Sequence, residues 1–96
     1  MSEMDKKEAF YKKLKNDLEE TTKFPTKYLY KFIVPSDEEK INKVETIFDY
    51  LGAVITKKSS KTGKFISISI LVKMNNADDV IKKYKDVEVV EGIISL

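Results

Sequence analysis

Cysteine, histidine and arginine are all missing from the 96 residues. Without cysteine there is no disulfide frame, no thiolate zinc site and no thiol nucleophile. Without histidine the commonest general base and the commonest transition-metal ligand are gone. All eighteen basic residues are Lys, so the planar fork that grips phosphates and carboxylates in bidentate fashion is absent too. Long apolar runs are also lacking. The longest, Ile66 to Val72, is interrupted by Ser67 and Ser69 and falls far short of the ~18–20 residues that cross a bilayer. The three glycines, at 52, 63 and 92, lie too far apart to build a phosphate-cradling loop. Residues Met1 to Asp5 show no basic stretch leading into an apolar one, so no signal peptide is read and a cytoplasmic protein is expected.

What is present suffices for one domain. A mass of 11.1 kDa with 42% hydrophobic and 35% charged residues supports a single core under a well-solvated surface. The net charge of +2 is too small to imply a nucleic-acid or membrane partner by itself.

Periodicity orders the chain. Met4, Tyr11, Leu14 and Leu18, with Phe10 beside them, predict a helix over residues 3–20. Ser2 and Asp5 resemble a capping box at its start. Five Lys against six acids in residues 1–20 leave it without the basic face of a membrane-surface helix. It reads as an added helix that packs on the domain or on a partner. Pro25 breaks the pattern, and Tyr28 to Val34 then alternates, with Tyr28, Tyr30, Phe32 and Val34 on one face and Leu29, Lys31 and Ile33 on the other. Ser36 with Glu39 predicts a second capped helix, striped by Ile41, Val44, Ile47, Phe48 and Leu51 and ended by Gly52. Ala53 to Ser59 reads as a strand and Ser60 to Gly63 as a turn. Lys64 to Met74 is a long strand, with Ile66, Ile68, Ile70, Val72 and Met74 opposed to Phe65, Ser67, Ser69 and Leu71. Asn76 can cap a helix over residues 77–85, and Val87 to Leu96 predicts a last strand in which Gly92 marks a bulge or a close approach.

From Tyr28 onward the order is β-α-β-β-α-β, the α+β pattern of a ferredoxin-like sandwich: a four-stranded antiparallel sheet with two helices on one face. Residues 1–22 are then an N-terminal helical extension and residues 23–96 the domain. The second face of the sheet must meet solvent, the extension or another molecule. Its candidate contacts are Leu29, Lys31, Ile33, Phe65, Ser67, Ser69 and Leu71.

Residues 50–77 hold five Lys and no acid, and Lys57, Lys58, Lys61 and Lys64 crowd one hairpin as candidate anion contacts. About four phosphate contacts would give a log–log salt slope of roughly −3.6 on duplex DNA, whereas hairpin lysines can equally serve to discourage edge pairing. RNA-recognition modules share this topology and stack bases on aromatics of the third and first strands. Here Phe65 is the single ring on that face. Catalytic readings find less. An acylphosphatase-like enzyme on this fold would hold its phosphate with an Arg. The acids at 37–39 and at 78–79 stand at helix starts, where the macrodipole favours negative charge. Ser59, Ser60, Ser67 and Ser69 have no His partner, and a Ser–Lys pair with Lys57, Lys58 or Lys61 would be exposed.

Phe24-Pro25-Thr26 ahead of a strand carrying Tyr30-Lys31, and the run Ser59-Ser60-Lys61-Thr62-Gly63-Lys64-Phe65-Ile66-Ser67-Ile68-Ser69-Ile70, resemble the YbeD-like family of small bacterial proteins of unknown function. The likeness covers roughly residues 24–96. It implies a ferredoxin-like fold similar to ACT regulatory domains and brings no catalytic residues with it. ACT domains often bind small ligands at a Gly-containing turn after the first strand. The matching turn here, Val34-Pro35-Ser36-Asp37, has no Gly.

The expected function is therefore a non-catalytic, ACT-like regulatory or interaction module. It needs no cofactor or metal and docks a protein partner, or itself, through its open sheet face or edge. Nucleic-acid or polyanion binding through hairpin 57–64 is the alternative, and a small-molecule sensor at a subunit interface stays open. The alternative makes a direct prediction. Replacing Lys57, Lys58, Lys61 and Lys64 together by Gln abolishes binding to mixed-sequence DNA or RNA while leaving the melting temperature nearly unchanged; an unaltered affinity in a gel-shift titration rejects it.

Overall fold

The computed structural model describes residues 3–49 and 51–96, with side chains placed from Lys6 onward, Tyr50 excepted. The elements are α1 (Glu3–Thr21), β1 (Thr26–Pro35), α2 (Glu38–Ile47), β2 (Val54–Ser59), β3 (Phe65–Met74), α3 (Ala77–Val87) and β4 (Ile94–Ser95). The strands form one antiparallel sheet in the order β2-β3-β1-β4, the ferredoxin-like arrangement expected from the alternation of elements. Ser2 of the expected first capping box and the side chain of Met4 lie outside the described residues.

The two central strands set the register. Ten residues of β1 pair with ten of β3, from Thr26 opposite Met74 to Pro35 opposite Phe65. Because side chains alternate along a strand, this pairing sends Tyr30, Phe32, Val34, Ile68, Ile70, Val72 and Met74 to one side, all buried. Val44 and Phe48 meet them from the α2 segment, and Ala77, Val80 and Val87 from α3. Tyr30 lies at the centre, with Phe48 and Tyr84 rings 5.0 and 4.9 Å from its own and its hydroxyl donating to the Val80 carbonyl at 3.0 Å. Tyr28 and Tyr84 share a hydroxyl–hydroxyl bond of 2.8 Å. The polar ends of these rings are thus satisfied while their bodies fill the core.

The N-terminal helix joins this core along the flank of α3 and leaves the second sheet face uncovered. Leu18 is buried and Leu14 packs against the cluster. Lys15 bridges to Asp78 at 3.0 Å, Tyr11 donates to the Glu88 carboxylate, and the Lys85 ammonium stands 5.4 Å from the Tyr11 ring. Phe10, on the far side of the helix, is 61% exposed.

Three expectations need correction. The second helix is capped by Asp37 instead of Ser36. The Ser36 amide donates to the Lys64 carbonyl at 3.0 Å, which prolongs the β1–β3 pairing and takes up the donor that Glu39 would accept from in a capping box, while the Asp37 carboxylate accepts from the Glu39 amide at 2.9 Å. The same helix ends at Ile47, before Leu51 and Gly52. Its last amides tighten onto carbonyls three residues back, Phe48 onto Glu45 and Asp49 onto Thr46, and Leu51 is exposed. The Lys83 ammonium then donates to the Ile47 carbonyl at 2.7 Å, a cation at the negative end of the helix dipole. Finally, the last strand is two residues long, where the sequence predicts strand from Val87 to Leu96. Helix α3 runs on to Val87, and i→i+3 amide bonds at Glu88, Val90 and Ile93 turn the chain, so Val90 reaches the core from a turn. Gly92 holds φ +82°, and a Cβ there would stand 3.1 Å from Pro35 Cγ, so the close approach expected of this glycine is present. The Asn76 cap forms as expected, its Oδ1 accepting from the Asp79 amide at 2.8 Å.

Two predictions test this packing. Leu18→Ala costs about 2–4 kcal/mol by urea denaturation, while Phe10→Ala changes stability by less than about 0.5 kcal/mol; equal costs would mean that α1 is not part of the core. Burial first, and then the neighbouring tyrosines, raise the Tyr30 and Tyr84 phenols above their ordinary value of 10.0. The unfolded chain therefore ionises these phenols before the folded one does, and stability held below about pH 10 is lost as the pH climbs beyond it. Urea midpoints at about pH 8 and 11 should diverge in the parent and diverge less in Tyr84→Phe.

Candidate interaction face

The alternation that fills the core leaves its complement on the other side of the sheet. On that face Leu29 lies opposite Leu71, Lys31 opposite Ser69, Ile33 opposite Ser67 and Pro35 opposite Phe65. All seven residues singled out from the sequence thus share one surface. Strand β2 extends it, with Val54 beside Leu71, Thr56 beside Ser69 and Lys58 beside Ser67. On the other flank Ile94 pairs with Ile33, and the Leu96 amide donates to the Lys31 carbonyl at 2.9 Å. Leu29, Val54, Phe65, Leu71, Ile94 and Leu96 are all exposed, Val54 at 63% and Leu96 at 69%.

Val54, Ile94 and Leu96 were not legible as parts of this face. The sequence left open whether Ala53 and Ile55 or Val54 and Thr56 point inward. The β2–β3 register turns Ile55 against the core and Val54 to solvent. At the C-terminal end Val90 and Ile93 turn inward while Val89 and Ile94 are exposed, a pattern no single strand alternation produces.

The hairpin lysines divide. Lys57 turns back toward the helices and pairs with Glu45 at 2.8 Å. Lys58, Lys61 and Lys64 are exposed. The tip is held by the Ser60 amide on the Phe65 carbonyl at 2.9 Å, the Gly63 amide on the Ser60 carbonyl at 3.0 Å and the Phe65 amide on the Ser60 hydroxyl at 3.2 Å. At its base Lys58, Ser59, Ser60 and Lys61 join Ile33, Phe65 and Ser67 around an open groove of about 480 Å³. Apolar floor and cationic wall therefore meet at this end of the face.

The acids at the helix starts act as caps and partners. Asp37 caps α2, and Asp78 pairs with Lys15. Among the described residues no three acids gather into a group that could hold a metal ion.

Residues 19–95 match the family described as Protein of unknown function (DUF493). The chain belongs to that family. The YbeD-like resemblance read from the hairpin motif falls within it, because YbeD is a member. No curated protein and no solved structure matches the chain. The matched segment takes in the last residues of α1, Leu18 excepted, and every strand of the sheet. Among the described residues no helix is long and apolar enough to cross a membrane.

Proposed function

We propose that this DUF493 member is a non-catalytic, ACT-like regulatory or interaction module of the cytoplasm that docks a protein partner through its open sheet face. One observation carries the reading: the outer face of the two central strands presents Leu29, Leu71 and Phe65, extended by Val54 and Ile94, with no element among the described residues packed over them. Contiguous exposed apolar surface on a small domain marks interaction sites. Lys31, Ser67, Ser69 and Thr56 lie between the apolar groups and keep the free face compatible with water. The N-terminal helix, which could have covered this surface, is seated on α3 instead. Polyanion binding by the hairpin has less support. It draws on Lys58, Lys61 and Lys64, since Lys57 is engaged with Glu45, and Phe65 gives bases a single ring on which to stack.

Photo-cross-linking in cells tests this reading. A photoreactive amino acid placed at Val54 or Leu71 should yield discrete protein adducts, and the same group at Asn42 or Lys82 on the helical side should yield few. Equal yields at all four positions, or adducts confined to the helical side, reject the docking role of the sheet.

A further inference from the structure

The acids and the sheet occupy different parts of the molecule. All sixteen Asp and Glu lie on the helices or on the segments that cap and connect them, and none lies on a strand or on the β2–β3 hairpin. Strands and hairpin instead carry seven Lys (27, 31, 57, 58, 61, 64 and 73), which leaves eleven Lys against sixteen acids, a balance of −5, for the rest of the chain. A net charge of +2 hides this division. Lys57 alone among the seven turns to the helices and finds a carboxylate.

The strand lysines that remain share the open face. Lys27 and Lys73 stand directly opposite one another in the β1–β3 register, Lys31 is opposite Ser69, and Lys58 is opposite Ser67. Among the described residues none of the four makes an ion pair. A like-charge pair held directly across a sheet is destabilising, so the Lys27–Lys73 juxtaposition costs the free protein something that an anionic partner would recover. The same charge pattern opposes a second copy seated face to face, which would bring the lysines of one sheet onto those of the other.

Resting on the docking role proposed above, we infer that the occupant of the face is an acidic amphipathic helix of another protein. Its apolar side meets Leu29, Leu71 and Val54 at one end and Ile33, Phe65 and Ile94 at the other, while its carboxylates reach Lys27, Lys73, Lys31 and Lys58. The dimensions agree. Leu71 to Phe65 spans six residues of strand, about 20 Å, which is the length of a helix of about 13 residues. Aliphatic side chains at most of the apolar positions suit a helix better than they suit nucleic-acid bases, which stack on aromatic platforms.

The test selects ligands without presupposing their sequence. A displayed library of random peptides of about 16 residues is panned against the full chain. Selected peptides are then titrated by fluorescence anisotropy at two salt concentrations and mapped by ¹⁵N amide shifts. The inference expects enriched acids among apolar residues at helical spacing, and shifts at Leu29, Lys31, Val54, Ser69 and Leu71. It also expects affinity to weaken with salt and to fall by about tenfold or more in the Lys27→Gln/Lys31→Gln/Lys58→Gln/Lys73→Gln variant, whose melting temperature is unchanged or raised. Peptides that map to the face but are neutral or basic, and keep their affinity in that variant, overturn the acidic helix and leave the docking role intact. Peptides that map elsewhere, or no enrichment at all, overturn both. A mixed-sequence single-stranded RNA that shifts the same amides and binds tighter than every selected peptide overturns both in favour of nucleic acid.

Discussion

The antiparallel pairing of β1 with β3 is the constraint on which the other features depend. Ten consecutive residue pairs fix the register, and a slip by one residue would exchange the Tyr30, Phe32, Ile68, Ile70 side for the Leu29, Lys31, Ser67, Ser69 side. In either strand such a slip would bury a lysine without a partner, Lys31 in β1 or Lys73 in β3, and expose that strand's large aromatic or β-branched groups, so the hydrophobic term and the cost of burying charge act in one direction. The helices have no comparable freedom of their own. They settle where the inner face of these two strands offers apolar surface, and α1 takes what the flank of α3 leaves.

Connections adapt to that frame. The Ser36 amide extends the sheet pairing to the Lys64 carbonyl, α2 begins one residue later than the sequence predicts, and Asp37 supplies the cap. Lys83 of α3 closes the far end of α2 at the Ile47 carbonyl, with its ammonium 5.7 Å from the Phe48 ring. The two helices of the layer are thereby tied to each other as well as to the sheet. Gly92 passes beside Pro35, at the end of β1, where an added Cβ would be crowded. The short β4 follows, paired at Ile94 and Ser95 and tied to β1 by the Leu96 amide on the Lys31 carbonyl.

Charge follows the same division of labour. Carboxylates gather where backbone amides are free, at the starts of α2 and α3, while others line α1. A sheet interior offers no such free amides, and lysine stems can lie over apolar neighbours while their ammonium groups stay in water. A face built in this way holds aliphatic groups and cations side by side. On the docking role proposed above, that combination suits a partner bringing both apolar groups and anions better than a second copy of the same lysine-bearing face.

Much of this was legible along the chain. The alternation of Tyr28 to Val34 and of Phe65 to Met74 determined both central strands and both of their faces, because period-2 patterning needs no knowledge of distant residues. Asn76 as a cap and the ferredoxin-like order of elements followed from local signals of the same kind. Tertiary structure alone decided where competing local signals were nearly equal. Ser36 and Asp37 both can cap; Ser36 stays paired to β3 through its amide on the Lys64 carbonyl, and Asp37 is the cap. Val87 to Leu96 is rich enough in β-branched residues to read as a strand, yet Val87 is buried as the last residue of α3 and Val90 is buried from the turn that follows. Lys57 and Lys58 are adjacent and chemically identical; the register against β3 sent one to Glu45 and the other to the open face. Local sequence determines what a segment can form and which side of it is apolar. Which neighbour claims each amide and each ammonium depends on residues tens of positions away, and only the packed sheet brings those together.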